Sequence, residues 1–480
     1  MSGLGSVWKN SAFNVVYKLA NLLFPLISAG YVSRILLPTG IGRVSAAQNI
    51  VSYFLTFAAL GLPSYGVREI AKVRFNREEV DKTFTELLVI NSISTAISVV
   101  SYFVLISLVN DYRLNFSLYF ACGLQLFFNF INIDWLYQGE EDYAYISIRS
   151  IVIKFISLIL LLLVVKTSQD YLIYAYITSF ALGMNYFFNI VHARKYVKIT
   201  KNGLHLKKHL TPLMILLITI FLSNLYNKVD ITMLGIFSTE EATGLYTNAH
   251  KIIEILVTAC AAITAVFLPR LSYYYEHDKE SFYNLLAKGV RILSFLTFPL
   301  MAGLFLLAPQ GMTILFGNAF CSGATTLRIF SVLIVIKCFG DLLCYQLTIC
   351  SGNEKKRLPA YFFAAVANII LNFFLIPIMA QNGAALASII SEVIVNGIQI
   401  ISMRKIIGFK LECKPFIQAV LSTAVMIVSI VFILCVFKNS IVQAIVSFFV
   451  GCAMYLLINL FLKNDIMLAA LGYIKCKIHK

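Results

Sequence analysis

Apolar residues run along this chain in blocks of about twenty, a length that crosses a bilayer as one helix. The blocks do not alternate between polar and apolar positions. "LILLLLVV" (158–165) is continuous, whereas a barrel strand would show a period of two. Lipid offers no hydrogen-bond partner to a backbone, so unbroken apolar blocks predict helices. Hydropathy and loop charge together predict about fourteen of them: 10–32, 44–65, 84–109, 115–137, 145–165, 170–191, 211–236, 245–268, 289–309, 324–350, 359–379, 383–403, 416–437 and 441–462.

The polar segments between blocks sort by charge. "VREIAKVRFNREEVDK" (67–82), "HARKYVKITKNGLHLKKH" (192–209), "GNEKKR" (352–357) and "RKIIGFKLECK" (404–414) are basic, as is the tail with Lys475, Lys477 and Lys480. "STEEATG" (238–244), "QNG" (381–383) and "KNS" (438–440) are short and nearly free of Lys and Arg. The positive-inside rule puts the basic set in the cytoplasm. An even number of spans then leaves both termini there. "MSGLGSVWKN" lacks the basic start of a secretion signal, so the first helix is expected to remain in the mature protein.

A weak internal repeat accompanies the spans. Ser45, Asn49, Ser52 and Thr56 form a polar stripe on the second helix, and Thr247, Lys251, Glu254 and Thr258 repeat its spacing on the eighth. The offset is constant, 247 − 45 = 202 and 258 − 56 = 202, and Gly42 and Gly244 share it. Each helix ends near Leu-Pro (Leu62-Pro63, Leu268-Pro269). This predicts two six-helix halves related by duplication and two additional helices: 1–209 as an N-terminal lobe with its basic linker, 210–404 as a C-terminal lobe, and 405–480 as the last two helices and tail. Secondary transporters are commonly built from such repeats, with the substrate between them.

Composition strengthens the membrane reading. The 480 residues are 59% hydrophobic and 13% charged. The net charge of +16 would suit nucleic acid, but its concentration in alternate loops is what a membrane protein requires. The ten cysteines contain no CxxC pair and read as small apolar packers. There is no GxxxxGK[ST], HExxH, GxSxG or DxD, and the six histidines form no ligand cluster. No cofactor, metal or covalent chemistry is expected.

The candidate chemistry lies in polar groups inside the spans. The first helix carries Asn14, Lys18, Asn21, Pro25 and Ser28; the seventh carries Thr219, Ser223, Asn227 and Asp230, with Asn224 and Lys228 on the adjacent row. A charge in hydrocarbon costs at least ~2.5–3.5 kcal/mol, so these stripes face another helix or water. Lys228 and Asp230 stand roughly 200° apart around a helix and cannot pair with each other. Lys154 lies mid-span on the fifth helix. Lys337 and Asp341, four apart, can pair on one face, as can Lys251 and Glu254. Glu392 is mid-span with Asn396 and Gln399 on its face. Asp134, beside Trp135, reads as interfacial. Arg34, Arg43 and Arg328 lie near outer helix ends, where long side chains snorkel.

Several segments resemble bacterial polysaccharide repeat-unit flippases of the multidrug/oligosaccharidyl-lipid/polysaccharide exporter superfamily. They are "YVSRILLPTGIGRVSAAQNIVSYF" (31–54), "GLPSYGVREIAKVR" (61–74), "NKVDITMLGIFSTEEATGLYTNAHKI" (227–252) and "LFGNAF" (315–320). The resemblance covers nearly the whole chain and implies an all-α polytopic membrane protein, with two six-helix lobes in a V shape and the last two helices outside. It implies alternating access for an undecaprenyl-pyrophosphate-linked oligosaccharide in the bacterial cytoplasmic membrane, with both termini cytoplasmic. Pathway polymerases and glycosyltransferases become expected partners alongside membrane lipids; nucleic acid does not. Asn14, Lys18, Asn21, Arg34, Asn49, Asn227, Lys228 and Lys337 are then the expected substrate-binding set. Lysines neutralise pyrophosphate and amides hydrogen-bond sugars. Asp230, Glu254, Asp341 and Glu392 are the expected ion-coupling or interlobe-pairing carboxylates. Two rivals stay open. A multidrug and toxin extrusion transporter of the same fold would favour acidic residues in its cavity. A membrane polysaccharide polymerase would need a larger outward loop than the longest here, about 310–323.

Overall fold

The computed structural model describes residues 3–200, 203–404 and 413–478, with side chains described from Phe24 onward except 413, 470 and 473–478. The described residues form helices and no strand. Nine stretches among them are long and apolar enough to cross a membrane. Two of the nine hold two passes each. The Gly3–Ala59 helix breaks at Leu37 (φ 62°, ψ 174°) and the Arg357–Met403 helix at Ala380 (φ 47°, ψ −128°). Phe116–Asn129, Tyr171–Ala193 and Ala324–Gly340 supply three more. That gives 9 + 2 + 3 = 14 passes, in the order the hydropathy blocks predict. The chain is a multi-pass membrane protein.

Both breaks fall in the expected gaps. Pro38 follows Leu37 and has no N–H with which to continue the helix across the break. The fourth block is interrupted rather than continuous. Phe116–Asn129 ends, and a short helix, Asp134–Gly139, begins after a turn.

The basic segment 67–82, read as a loop, begins inside a helix, Leu62–Val73. Pro63 stands in its first turn, where a missing N–H costs nothing. Leu62, Tyr65, Gly66 and Ile70 recur at helical spacing and are buried. They enter a core with Phe84, Leu87, Trp135 and Leu136. Gly66 lies directly against the Trp135 ring, so any β-carbon there would collide with it. Asn76 then caps the Arg77–Leu108 helix, accepting from the Glu78 and Glu79 amides at 3.2 and 3.4 Å.

The chain packs as two compact units, Met1–Gly244 and Leu245–Lys480. In each, large apolar side chains such as Ile156, Leu163, Phe432 and Phe448 lie exposed, while Ser179, Asn189, Ser294 and Thr297 are fully buried. This inversion of the soluble pattern follows from lipid replacing water outside. In the second unit the Cys413–Val436 and Ser440–Phe461 helices share a core with Lys279–Leu306, built on Met426, Ile430, Tyr455 and Ala302. The Tyr455 hydroxyl donates to the Phe295 carbonyl at 2.8 Å.

The repeat glycines meet inside the first unit. A β-carbon on Gly42 would collide with the Glu240 carbonyl, and one on Gly244 with the Pro38 carbonyl. The two contacts exchange under the 202 offset, since 42 + 202 = 244 and 38 + 202 = 240. This reciprocal crossing of two helix starts is possible only because neither glycine carries a side chain.

Candidate functional site

Among the described residues, two polar clusters within the spans hold members of the expected site. In the first unit the second pass of Gly3–Ala59 packs on the Lys207–Phe237 helix. The Asn49 amide donates to Thr232 Oγ1 at 2.6 Å and to the Lys228 carbonyl at 3.0 Å. The Tyr53 hydroxyl lies 3.0 Å from the same Thr232 oxygen, and Asn224 Nδ2 donates to Thr56 Oγ1 at 2.8 Å. Ser52 turns back on the Asn49 carbonyl. The Ser45–Thr56 stripe is thus a seam between helices, and Asn49 is its centre.

Around the seam the seventh pass distributes its charges as the helical rotation requires. Asp230 is buried at 3% exposure. Lys228 is half-buried, and Asn227 is exposed with its amide returned to the Ser223 carbonyl at 2.7 Å. Arg34 is exposed and Lys154 half-buried. The side chains of Asn14, Lys18 and Asn21 lie outside the described residues.

In the second unit Lys337 reaches across to another helix. Its Nζ stands 3.9 Å from Glu392 Oε2, with Glu392 9% exposed. The alternative pairing of Lys337 with Asp341 on one helical face is not made. From Asp341 to Gln346 the helix loosens into π-type turns. Asp341 Oδ2 accepts from Gln346 Nε2 at 2.8 Å, across those turns. Gln346 also reaches Thr264 Oγ1 at 3.3 Å. Asn396 packs against Gly340 and donates to the Ile336 carbonyl at 3.1 Å. Glu254 lies midway along the Glu240–Ala265 helix with its side chain 62% exposed, 3.7 Å from His250 Nδ1.

Two clusters escaped the sequence reading. Glu86, fully buried near the start of Arg77–Leu108, accepts from Lys208 Nζ and His209 Nε2, each at 2.8 Å, and from the His205 amide at 2.6 Å. Tyr65 closes the chain on His209 Nδ1 at 2.8 Å. The described residues of the basic linker lie along one helix face, with the Lys198 amide on Asp81 and the Thr200 amide on Thr85. A lone glutamate entering an apolar block was the available signal. Asp134, read as interfacial, pairs with the buried Arg149 at 2.9 Å and accepts from Asn189.

The chain belongs to the polysaccharide biosynthesis protein family, whose profile matches residues 7–275. It is 22% identical over 402 residues to a "Putative O-antigen transporter" of Escherichia coli K12, spanning 83% of this chain and 97% of that one. It is also 22% identical over 244 residues to a "Probable low-salt glycan biosynthesis flippase" of Haloferax volcanii, 49% of this chain and 50% of the relative. Among solved structures the lipid II flippase MurJ superposes with a TM-score of 0.74 at 16% identity, covering 94% of this chain and all of the other. A multidrug resistance MATE family transporter of the MOP superfamily gives 0.65 at 16% identity, covering 80% and 93%. Those structures share the fold, and the family resemblance read from residues 31–54 and 227–252 holds.

Proposed function

We propose that this protein is a flippase that carries a polyprenyl-pyrophosphate-linked oligosaccharide from the inner to the outer leaflet of the bacterial cytoplasmic membrane. It is a transporter rather than an enzyme. The observation that carries this reading is Glu254, exposed midway along a helix long and apolar enough to cross a membrane. A charge facing lipid there costs at least ~2.5–3.5 kcal/mol, so the face it occupies borders water. A water-filled path through the membrane is what a glycan needs.

The basic groups give the path its sign. Lys154, Lys228 and Lys337 supply cations for the pyrophosphate. Asn14, Lys18, Asn21, Arg34 and Asn227 complete the substrate set, while Asn49, expected in it from the sequence, has its amide donors taken by Thr232 and the Lys228 carbonyl and holds the seam instead. Asp230, Glu254, Asp341 and Glu392 are the candidates for ion coupling. An apolar groove of about 530 Å³ in the second unit, between Pro299, Leu300, Ile430 and Phe448, suits a hydrocarbon chain. Both termini are cytoplasmic in this reading, and the polymerase and glycosyltransferases of the pathway act on either side of the step.

Deletion of the gene tests it. Lipid-linked repeat units should accumulate on the inner leaflet and surface polysaccharide should vanish. Unpolymerised units on the outer surface would make the protein a polymerase, and drug sensitivity with normal polysaccharide would make it a multidrug exporter. Coupling is read in vesicles: an imposed pH gradient should drive wild-type flipping, and Glu254→Gln and Asp341→Asn should lose the dependence.

A further inference from the structure

The first unit also holds a cavity of about 510 Å³, which meets the seam at Thr232. It lies at the end of the Arg77–Leu108 and Lys207–Phe237 helices remote from the basic segments where both begin. Arg43 and Glu240, joined at 2.6 Å, line it together with Asp111, Tyr112, Asn115 and Tyr119. The Tyr112 and Tyr119 rings lie 4.6 Å apart, and Asn115 Nδ2 is fixed on the Asp111 carbonyl at 3.1 Å. Asp111 and Asn115 are exposed and Tyr112 is half-buried, so water reaches the cavity.

The lining selects against an anion. One guanidinium faces two carboxylates and is already paired with one of them, whereas a pyrophosphate needs an excess of cations. Planar carboxylate, amide and guanidinium groups hydrogen-bond vicinal hydroxyls, and aromatic faces take the C–H face of a pyranose. The volume is in the range of small-molecule sites, roughly 300–1,000 Å³. We propose that this cavity is a product-side subsite that holds neutral sugar residues of the glycan after translocation. The proposal rests on the flippase reading. The next reaction in the sequence is then a glycosyl transfer that takes its substrate from this surface.

The test uses the whole protein in intact cells, with an impermeant maleimide and single reporters Asn115→Cys and Ile236→Cys, scored above the labelling of the native cysteines. Ile236 also lines the cavity and is exposed. Labelling is compared between cells that make the lipid-linked glycan and cells lacking its first sugar transfer. Both reporters should label roughly tenfold more slowly with glycan present, the effect of an occupant at about ten times its Kd. Tyr112→Ala should restore fast labelling of both. Equal rates in the two strains overturn the proposal, as does protection at 115 alone, since an occupant covers both positions. Protection by inorganic pyrophosphate in glycan-free cells marks an anion site and also overturns it. Labelling only after permeabilisation puts the cavity on the inner side and does the same. The parent reading is judged separately: if deletion leaves surface polysaccharide intact, the flippase reading fails. If deletion abolishes it while labelling ignores the glycan, only the cavity proposal falls.

Discussion

Glu86 and Glu392 are both buried carboxylates facing a lysine on another segment, yet their surroundings differ. Glu86 receives three donors at 2.6–2.8 Å, one of them a histidine itself held by Tyr65. Glu392 stands 3.9 Å from Lys337, beyond hydrogen-bond reach. A saturated pair returns its desolvation cost through fixed geometry and acts as a clamp. At 3.9 Å Lys337 attracts Glu392 with no hydrogen bond between the two, so drawing this lysine toward an anion breaks no short bond of the pair. We propose that the first pair is architecture and the second serves transport.

The largest effect should come from breaking the clamp. Glu86→Ala leaves Lys208 and His209 without their carboxylate and should cost about 3–5 kcal/mol, read as a lower Tm in detergent and a linker that proteases cut near 198–205. Glu86→Gln keeps some hydrogen bonds and should fall between. Lys337→Ala should abolish polysaccharide export while the folded level stays close to wild type, and its Tm should drop less than that of Glu86→Ala. Equal losses of Tm would erase the distinction between the two glutamates. Asn49→Ala removes an interhelical amide and should cost about 0.6–1.7 kcal/mol in membrane stability, with partial export. The exposed Lys72–Glu69 pair, at 2.9 Å, sharpens the lower end: Lys72→Ala should change stability by about 0–1 kcal/mol and leave export intact.

The residues of each cluster were visible in the sequence to different degrees. The seam around Asn49 announced itself as a stripe of period 3.6 on the second pass, and the seventh pass carried the answering polar groups. Glu86 did not, because its partners lie more than a hundred residues away in a linker whose histidines show no spacing of their own. Lys337 was legible as a buried cation, but its partner was not. The spacing to Asp341 offered a pair on one face, and π turns turned that carboxylate toward Gln346.

By itself the sequence determined the fourteen passes, their order and both breaks, because lipid forces every backbone amide into a local helix and the breaks fall where the apolar blocks are interrupted. It also determined the family, through motifs that keep their order along the chain. Only the tertiary structure decided which polar groups meet: Asn49 with Thr232, Glu86 with Lys208 and His209, Lys337 with Glu392, and Gly42 with Glu240. Helix formation is local and periodic and so can be read along the chain. Pairing depends on which faces of distant helices come together, and that is fixed by packing rather than by spacing.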